Sequence, residues 1–131
     1  MIKLIATDMD GTWLKENKTY DKKLFEKEFQ IMQDRDIKFV VASGNQYENI
    51  FSRFPDYNRK IYFIAENGAL VAHGQEILKI ADLSDDDYDL MLKIVSNLPY
   101  QAVVAGVTSA YVRKSDGEKF AQEIDRKSTR L

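Results

Sequence analysis

Residues 2–12 read IKLIATDMDGT, an apolar run that leads directly into two aspartates, a glycine and a threonine. Apolar runs of this length without polar alternation are typical of strands buried on both faces of a parallel sheet. Two further runs, at 37–42 and 61–65, have the same character and are rich in Ile, Val and Phe. The sequence therefore predicts three parallel strands.

The segments between these runs have the periodicity of amphipathic helices, because apolar residues recur in them at intervals of three and four. These residues are Phe25, Phe29 and Met32 in the first segment and Tyr47, Ile50, Phe51 and Phe54 in the second. Strand, helix, strand, helix, strand is the repeating unit of an open parallel sheet. We therefore expect residues 1–80 to form a doubly wound, Rossmann-like α/β core.

The pattern changes after the third run. Two short apolar stretches flank His73-Gly74, a dipeptide that favours the turn of a β-hairpin, and the chain is expected to leave the core there. Ser84 then begins a helix-capping signal, and after that helix come two short strands and a final helix that Asp116 opens. We interpret residues 81–131 as a second, partial α/β module.

The composition limits the classes of function. Of 131 residues, 44% are hydrophobic and 31% are charged, a balance typical of globular proteins. The formal net charge is -2 and the basic residues are scattered, so no basic stripe is present to bind nucleic acid. The absence of cysteine excludes disulfides and thiolate chemistry, and the first apolar run is too short to span a membrane. We expect a cytoplasmic protein that binds neither nucleic acid nor membranes.

Polar residues follow each predicted strand, at the edge where open α/β sheets bind ligands. Asp8 and Asp10 come directly after the first strand, and Gly11 allows the chain to turn. One carboxylate can attack phosphorus while the other donates a proton to the leaving oxygen and later accepts one from water. Two adjacent anions that face a phosphate require a hard cation, for which Mg²⁺ is the usual choice. As a bare pattern, Asp-x-Asp more often indicates a solvated loop or an incidental calcium site, and its position directly after an apolar strand is what favours the phosphoryl-transfer interpretation.

The second strand ends in Ser43-Gly44-Asn45, ahead of a predicted helix. The Ser43 hydroxyl, the backbone N–H groups of Gly44 and Asn45, and the helix dipole can together hold phosphate oxygens. Taken alone, the same tripeptide is more often an ordinary helix cap and turn. Its pairing with Asp8 and Asp10 favours phosphate binding.

Three segments together resemble the haloacid dehalogenase (HAD) superfamily, and within it the Cof-type sugar phosphatases: residues 8–12 (DMDGT), 40–44 (VVASG) and 66–69 (ENGA). The resemblance implies that Asp8 is a nucleophile that forms a transient aspartyl-phosphate and that Asp10 is the general acid/base. It also implies that Asp8 binds Mg²⁺ through its side chain and Asp10 through its backbone carbonyl. Ser43 is then expected to bind the transferring phosphoryl group, and Asn67 to face the substrate.

The function that the resemblance implies is a magnesium-dependent phosphomonoester hydrolase that acts on sugar phosphates or similar small phosphorylated metabolites. In this interpretation residues 1–80 are the N-terminal part of a HAD-like core and residues 81–131 are the opening part of an α/β cap. Beyond Gly68, however, the family has a lysine and a Gly-Asp-rich segment with further metal-binding carboxylates, and neither is found in this sequence.

The sequence thus looks truncated relative to the family, which leaves an alternative function open. The chain could be a catalytically incomplete fragment or a non-enzymatic phosphate-binding module. An unfinished sheet would expose an apolar edge unless a second chain covered it, and for this reason a homodimer is also expected.

Overall fold

The computed structural model describes residues 1–107 and 109–129, and the chain divides into two compact units, Met1–Ile80 and Ala81–Leu131. The first unit contains β1 (Leu4–Asp8), α1 (Lys22–Asp34), β2 (Lys38–Ala42), α2 (Tyr47–Ser52), β3 (Tyr62–Ala65), β4 (Leu70–His73) and β5 (Glu76–Ile80). The second contains α3 (Asp85–Ser96), β6 (Val103–Ala105), β7 (Ala110–Val112) and α4 (Glu118–Thr129). In the described ranges, no helix is both long enough and apolar enough to cross a membrane.

The first unit is built on a mixed sheet with the strand order β1-β2-β3-β4-β5. β1, β2 and β3 pair in parallel, in a register that aligns Asp8 with Ala42 and Ala42 with Ile64. The predicted α/β class and the three parallel strands are therefore confirmed. The carboxyl ends of these strands lie side by side, at the edge where the polar motifs were expected.

The predicted hairpin forms β4 and β5 and extends this sheet, so the chain remains in the first unit through Ile80. β4 pairs antiparallel with β3, and β5 pairs antiparallel with β4. The chain reverses directly after β3 because Glu66, Asn67 and Gly68 all have positive φ angles. The hairpin turn itself is also one residue later than predicted, since His73 pairs with Glu76 and Gly74 adopts a φ of 56°.

The helices form where the apolar periodicity places them. In α1 the Asp21 side chain caps the first turn by accepting a hydrogen bond from the Leu24 backbone N–H at 3.0 Å. α2 is shorter than predicted: it ends at Ser52, so Phe54 lies beyond it. The Phe54 side chain is nevertheless fully buried. The next residue is Pro55, and a residue that precedes proline is disfavoured in a helix.

An aromatic cluster forms the centre of the first unit. The Phe25 ring on α1 is 1% exposed and has six aromatic neighbours with ring centroids 5.2 to 5.6 Å away. These neighbours are Trp13, Tyr20, Phe29, Phe39, Phe54 and Tyr57. The cluster joins α1 to β2 and to the loop after β1, so it fixes the loop that carries the acidic motif.

β1 differs from its prediction as a strand buried on both faces. Leu4 is 55% exposed and Ile5 is 38% exposed. Within the described residues, β1 has β2 as its sheet neighbour on one side and lies at the edge of the sheet. Side chains of a strand project from the two faces of the sheet, so this exposure shows that the described elements do not cover the faces of β1 fully.

The second unit pairs β6 with β7 antiparallel and has α3 and α4 beside them in sequence. As predicted, Ser84 caps α3: its hydroxyl oxygen accepts a hydrogen bond from the Asp87 backbone N–H at 3.2 Å. Asp116 does not open the last helix, which begins at Glu118. Its carboxylate instead accepts hydrogen bonds from the Arg113 side chain and from the backbone N–H of Ala102 at 3.3 Å each.

The aromatic cluster generates a prediction for stability. Phe25→Ala should lower the free energy of unfolding of the first unit by about 3 to 5 kcal/mol, because it removes the ring at the centre of the cluster. Trp13 is the only tryptophan in the sequence and lies 5.2 Å from Phe25, so its fluorescence during urea unfolding reports on this unit. Leu24→Ala is the matched control, since Leu24 is on the same helix and 52% exposed. Equal losses in the two variants would contradict the assignment of Phe25 to the core.

Candidate active site

A cleft of about 280 Å³ opens at the carboxyl ends of β1, β2 and β3. It is lined by Asp8, Ala42, Ser43, Gly44, Ile64, Asn67 and Gly68. These residues come from three separate segments of the chain, and the parallel register of the strands brings them together. Four of the six predicted site residues therefore line one cleft.

The two aspartates are held on the solvent side of their loop by the methionine between them. Met9 is 0% exposed, whereas Asp8 and Asp10 are exposed. The turn is closed by backbone hydrogen bonds from Leu14 N–H to the Met9 carbonyl at 2.8 Å and from Trp13 N–H to the Asp8 carbonyl at 3.2 Å. Burial of Met9 thus anchors the turn and leaves both carboxylates available to a ligand.

Asp10 does not line the cleft, but two side chains hold its carboxylate beside it. Lys18 Nζ donates to Asp10 Oδ1 at 2.6 Å, and Asn45 Nδ2 donates to Asp10 Oδ2 at 3.0 Å. The hydrogen bond from Lys18 lowers the pKa of Asp10 below its ordinary value, and the hydrogen bond from Asn45 adds to this effect. Both donors therefore favour the ionised form of Asp10 in this arrangement.

Asn45 also determines what the Ser43 hydroxyl can do. Ser43 Oγ accepts two hydrogen bonds, from the backbone N–H and from the Nδ2 of Asn45, at 3.1 Å each. A hydroxyl oxygen accepts at two lone pairs and has a single proton to donate. With both lone pairs engaged by Asn45, the Ser43 proton is directed to another acceptor, which suits the binding of an anionic oxygen.

The dipole of α2 contributes less to anion binding at this site than the sequence indicated. α2 begins at Tyr47, has six residues, and has Gln46 at its N-cap. The Asn45 backbone N–H, predicted to contact phosphate, is engaged by Ser43 Oγ. A helix this short provides only a small dipole, so the Ser43 hydroxyl is the better candidate for contact with an anion in this cleft.

The third segment is held against the second by close contacts. Glu66 N–H donates to the Asn45 carbonyl at 3.1 Å, and Asn67 N–H donates to the Ser43 carbonyl at 3.4 Å. A Cβ atom at Gly44 would lie 2.6 Å from Asn67 Oδ1, so the absence of a side chain at Gly44 leaves room for the Asn67 amide. Burial also raises the pKa of Glu66.

The donor set at the end of β1 fits part of a magnesium site. Mg²⁺ prefers oxygen ligands, and proteins commonly bind it through one or two carboxylates while it keeps several waters. The Asp8 carboxylate and the Asp10 backbone carbonyl are oxygen donors of this kind. In the part of the chain that the structure describes, no group of three or more His, Cys, Asp and Glu side chains is gathered in a metal-binding arrangement.

Lys18 is the residue at this site that the sequence analysis missed. It lies in the polar loop between β1 and α1, which contains two lysines, Lys15 and Lys18, and no spacing rule marks either of them. Its contact with Asp10 depends on the conformation of that loop, so only the structure reveals it.

The close approach of Gly44 and Asn67 can be tested. Gly44→Ala should cost less than about 1 kcal/mol of stability, because a flexible side chain can move away, but it should shift the NMR resonances of the Asn67 side-chain amide. Gly68→Ala is the control: Gly68 has no atom near its Cβ position but a φ of 98°, so strain should cost about 1 to 3 kcal/mol. Unchanged Asn67 resonances in Gly44→Ala would contradict the contact.

Comparisons with known proteins agree with this geometry. Residues 5–130 match the family model of the haloacid dehalogenase-like hydrolases. A relative from Escherichia coli (strain K12), named 5-amino-6-(5-phospho-D-ribitylamino)uracil phosphatase YbjI, is 42% identical over 115 residues, which cover 86% of this chain and 42% of that protein.

Solved structures give the same result. SMU.1108c from Streptococcus mutans UA159 is 31% identical with a TM-score of 0.84, and the match covers 95% of this chain and 48% of that one. A protein from Eubacterium rectale is 30% identical with a TM-score of 0.82, and the match covers 97% of this chain and 48% of that one. The chain thus spans less than half the length of these relatives. Because the family match extends through nearly the whole sequence, the chain belongs to the haloacid dehalogenase-like hydrolase family.

Proposed function

We propose that the protein to which this chain belongs is a magnesium-dependent phosphomonoester hydrolase that works through an aspartyl-phosphate on Asp8. The observation that supports this most strongly is the linkage between the loop that follows β1, at residues 8–10, and the loop that follows β2, at residues 43–45. Asp8 and Ser43 line one cleft, and the Asn45 amide bonds both to Asp10 and to Ser43. The proposed nucleophile, the proposed proton carrier and a hydrogen-bond donor for an anionic oxygen thereby lie at one edge of the sheet.

The first step is attack on phosphorus by a carboxylate oxygen of Asp8. A bond forms between that oxygen and phosphorus, the bond to the leaving oxygen breaks, and Asp10 in its protonated form gives its proton to the leaving group. The Ser43 hydroxyl donates a hydrogen bond to a phosphoryl oxygen, where negative charge has to be stabilised. The products of this step are an alcohol and the acyl phosphate of Asp8.

The second step is hydrolysis of the acyl phosphate. Asp10, now ionised, accepts a proton from water as the water oxygen attacks phosphorus, and the Asp8 carboxylate is released together with inorganic phosphate. The contacts from Lys18 and Asn45 favour the ionised form that this step needs and disfavour the protonated form that the first step needs. Mg²⁺, held by the Asp8 carboxylate and the Asp10 backbone carbonyl, would neutralise charge on the phosphate and on the aspartates.

The proposed substrate is a sugar phosphate or a similar small phosphorylated metabolite. The relative from E. coli is named as a phosphatase of a phosphorylated ribitylamino-uracil, which is a molecule of this class. We assign the choice of substrate to the second unit, Ala81–Leu131, as the opening part of a cap module, and we propose a cytoplasmic location.

The mechanism predicts that Asp8→Asn abolishes hydrolysis of p-nitrophenyl phosphate in the presence of Mg²⁺, because an amide cannot form the acyl phosphate. The assay compares the wild type and the variant with and without Mg²⁺, and turnover should require both the metal and Asp8. Asp34→Asn is the control, since Asp34 is the last residue of α1 and lies away from the carboxyl ends of the strands. Turnover retained by Asp8→Asn would contradict the mechanism.

A second prediction concerns the Ser43 hydroxyl. Ser43→Ala should weaken the binding of inorganic phosphate about 10- to 100-fold, the range expected when a hydrogen bond to a charged group is lost. Isothermal titration with phosphate in the presence of Mg²⁺ measures this change. Ser52→Ala is the control, because the Ser52 hydroxyl donates to the Asn49 carbonyl within α2 and not to the cleft. Equal phosphate affinity in Ser43→Ala and the wild type would remove Ser43 from the phosphate site.

The alternative function is phosphate binding without turnover. It requires the cleft at the strand ends and the Ser43 hydroxyl, and it requires neither a nucleophile nor a proton carrier. Phosphate binding that depends on Ser43, combined with no turnover by the folded wild type, would support the alternative over the hydrolase.

A further inference from the structure

We propose that Lys18 is a positioning residue that fixes the carboxylate of Asp10 for proton transfer. This inference rests on the role proposed above for Asp10 and adds a residue that neither the sequence motifs nor the comparisons assign. Lys18 contacts one carboxylate oxygen at 2.6 Å, and Asn45 contacts the other at 3.0 Å. With a donor on each oxygen, the plane of the carboxylate is fixed relative to the Ser43 hydroxyl, to which Asn45 is also bonded.

The loop around Lys18 is tightly hydrogen-bonded. Lys18 N–H donates to the Lys15 carbonyl at 2.9 Å, and Lys15 N–H donates to the Thr19 carbonyl at 2.8 Å. The Asn17 side-chain oxygen accepts from the Thr19 hydroxyl at 2.6 Å. The backbone that carries Lys18 is therefore held in one conformation, although the lysine side chain is 61% exposed.

A second set of contacts ties this loop to the segment after α2. Arg53 Nη1 donates to the Lys18 carbonyl at 3.5 Å, and the Tyr20 hydroxyl donates to the Arg53 carbonyl at 3.2 Å. Arg53 is itself oriented by the Asn49 side chain, which is buried and accepts from Arg53 Nε at 3.2 Å. Lys18 is thus positioned from two sides, by its own loop and by Arg53.

Stability alone does not explain this arrangement. Lys18 has a φ of 61°, a left-handed conformation that is unfavourable for a residue with a long side chain. An ion pair between side chains that are 61% and 46% exposed contributes little to stability, because water screens it. Glycine would adopt the same backbone angle without strain. The presence of lysine at this strained position is explained if its ammonium group holds the Asp10 carboxylate in place.

The first test asks whether Lys18 positions Asp10, and it does not require turnover. In Lys18→Met the NMR resonances of the Asn45 side-chain amide should shift, because the Asp10 carboxylate is released from one side. Lys38→Met is the matched control: Lys38 forms an exposed ion pair with Asp36, also at 2.6 Å, and its loss should leave Asn45 unchanged. Lys18→Gly should unfold at the same temperature as the wild type or higher, since it relieves the backbone strain. Unmoved Asn45 resonances in Lys18→Met would overturn the proposal.

The second test measures kinetics with p-nitrophenyl phosphate and Mg²⁺. Lys18→Met and Lys18→Gly should lower kcat about tenfold or more while KM changes less than about twofold, because the Asp10 carboxylate that accepts a proton from the attacking water is no longer held in place, whereas the groups that bind phosphate are unchanged. Lys18→Arg, which keeps the charge, should recover most of the loss. A kcat in Lys18→Met equal to that of the wild type would overturn the proposal, as would a melting temperature that falls along with activity in Lys18→Gly.

The two hypotheses fail in different ways. If the wild type itself shows no turnover, hydrolase activity of this chain is contradicted, and the Asn45 resonances alone decide whether Lys18 positions Asp10. If the wild type is active and Lys18→Met is equally active, the hydrolase function stands and the role of Lys18 is rejected.

Discussion

Parallel pairing of β1, β2 and β3 is the constraint on which the whole site depends. Parallel strands that start at comparable heights must end at the same edge, so three segments distant in sequence emerge side by side. Each segment then turns sharply, which leaves room for short polar side chains at the strand ends. The strands themselves have ordinary backbone angles, because the residues with positive φ angles are confined to the loops.

Asn45 converts this proximity into a connected polar network. Its side chain donates to Asp10 and to Ser43, and its backbone carbonyl accepts from Glu66, so all three loops meet at one residue. A half-exposed hydroxyl surrounded by water would rotate freely between acceptors. Here its lone pairs are engaged, and its proton has a defined direction before any ligand binds. Preorganisation of this type reduces the reorganisation required when charge develops on a bound phosphate.

Much of the fold and part of the site could be predicted from the sequence. The apolar runs and the acidic motif are local signals, and they correctly predicted the parallel strands and the edge at which Asp8, Ser43 and Asn67 lie. The exposure of β1 could not be predicted, since an apolar run does not reveal which elements pack on the two faces of a strand. The contact between Lys18 and Asp10 depends on a left-handed residue in a polar loop, and the short α2 depends on Pro55. Both the Lys18 contact and the end of α2 depend on the backbone conformation of single residues, which the periodicity of apolar residues does not reveal.

The placement of Asp8 and Ser43 on neighbouring strands has a consequence for ligand-linked stability. Asp8 is the last residue of β1, and Ser43 directly follows β2, the strand that pairs with β1. A phosphate bound to both residues would link β1 to β2 in addition to their backbone hydrogen bonds. At a ligand concentration of 100 Kd such binding adds about 2.7 kcal/mol to the folded state. Hydrogen exchange of the β1 amides would then slow as the cleft fills, so local opening of β1 and occupancy of the cleft would be coupled.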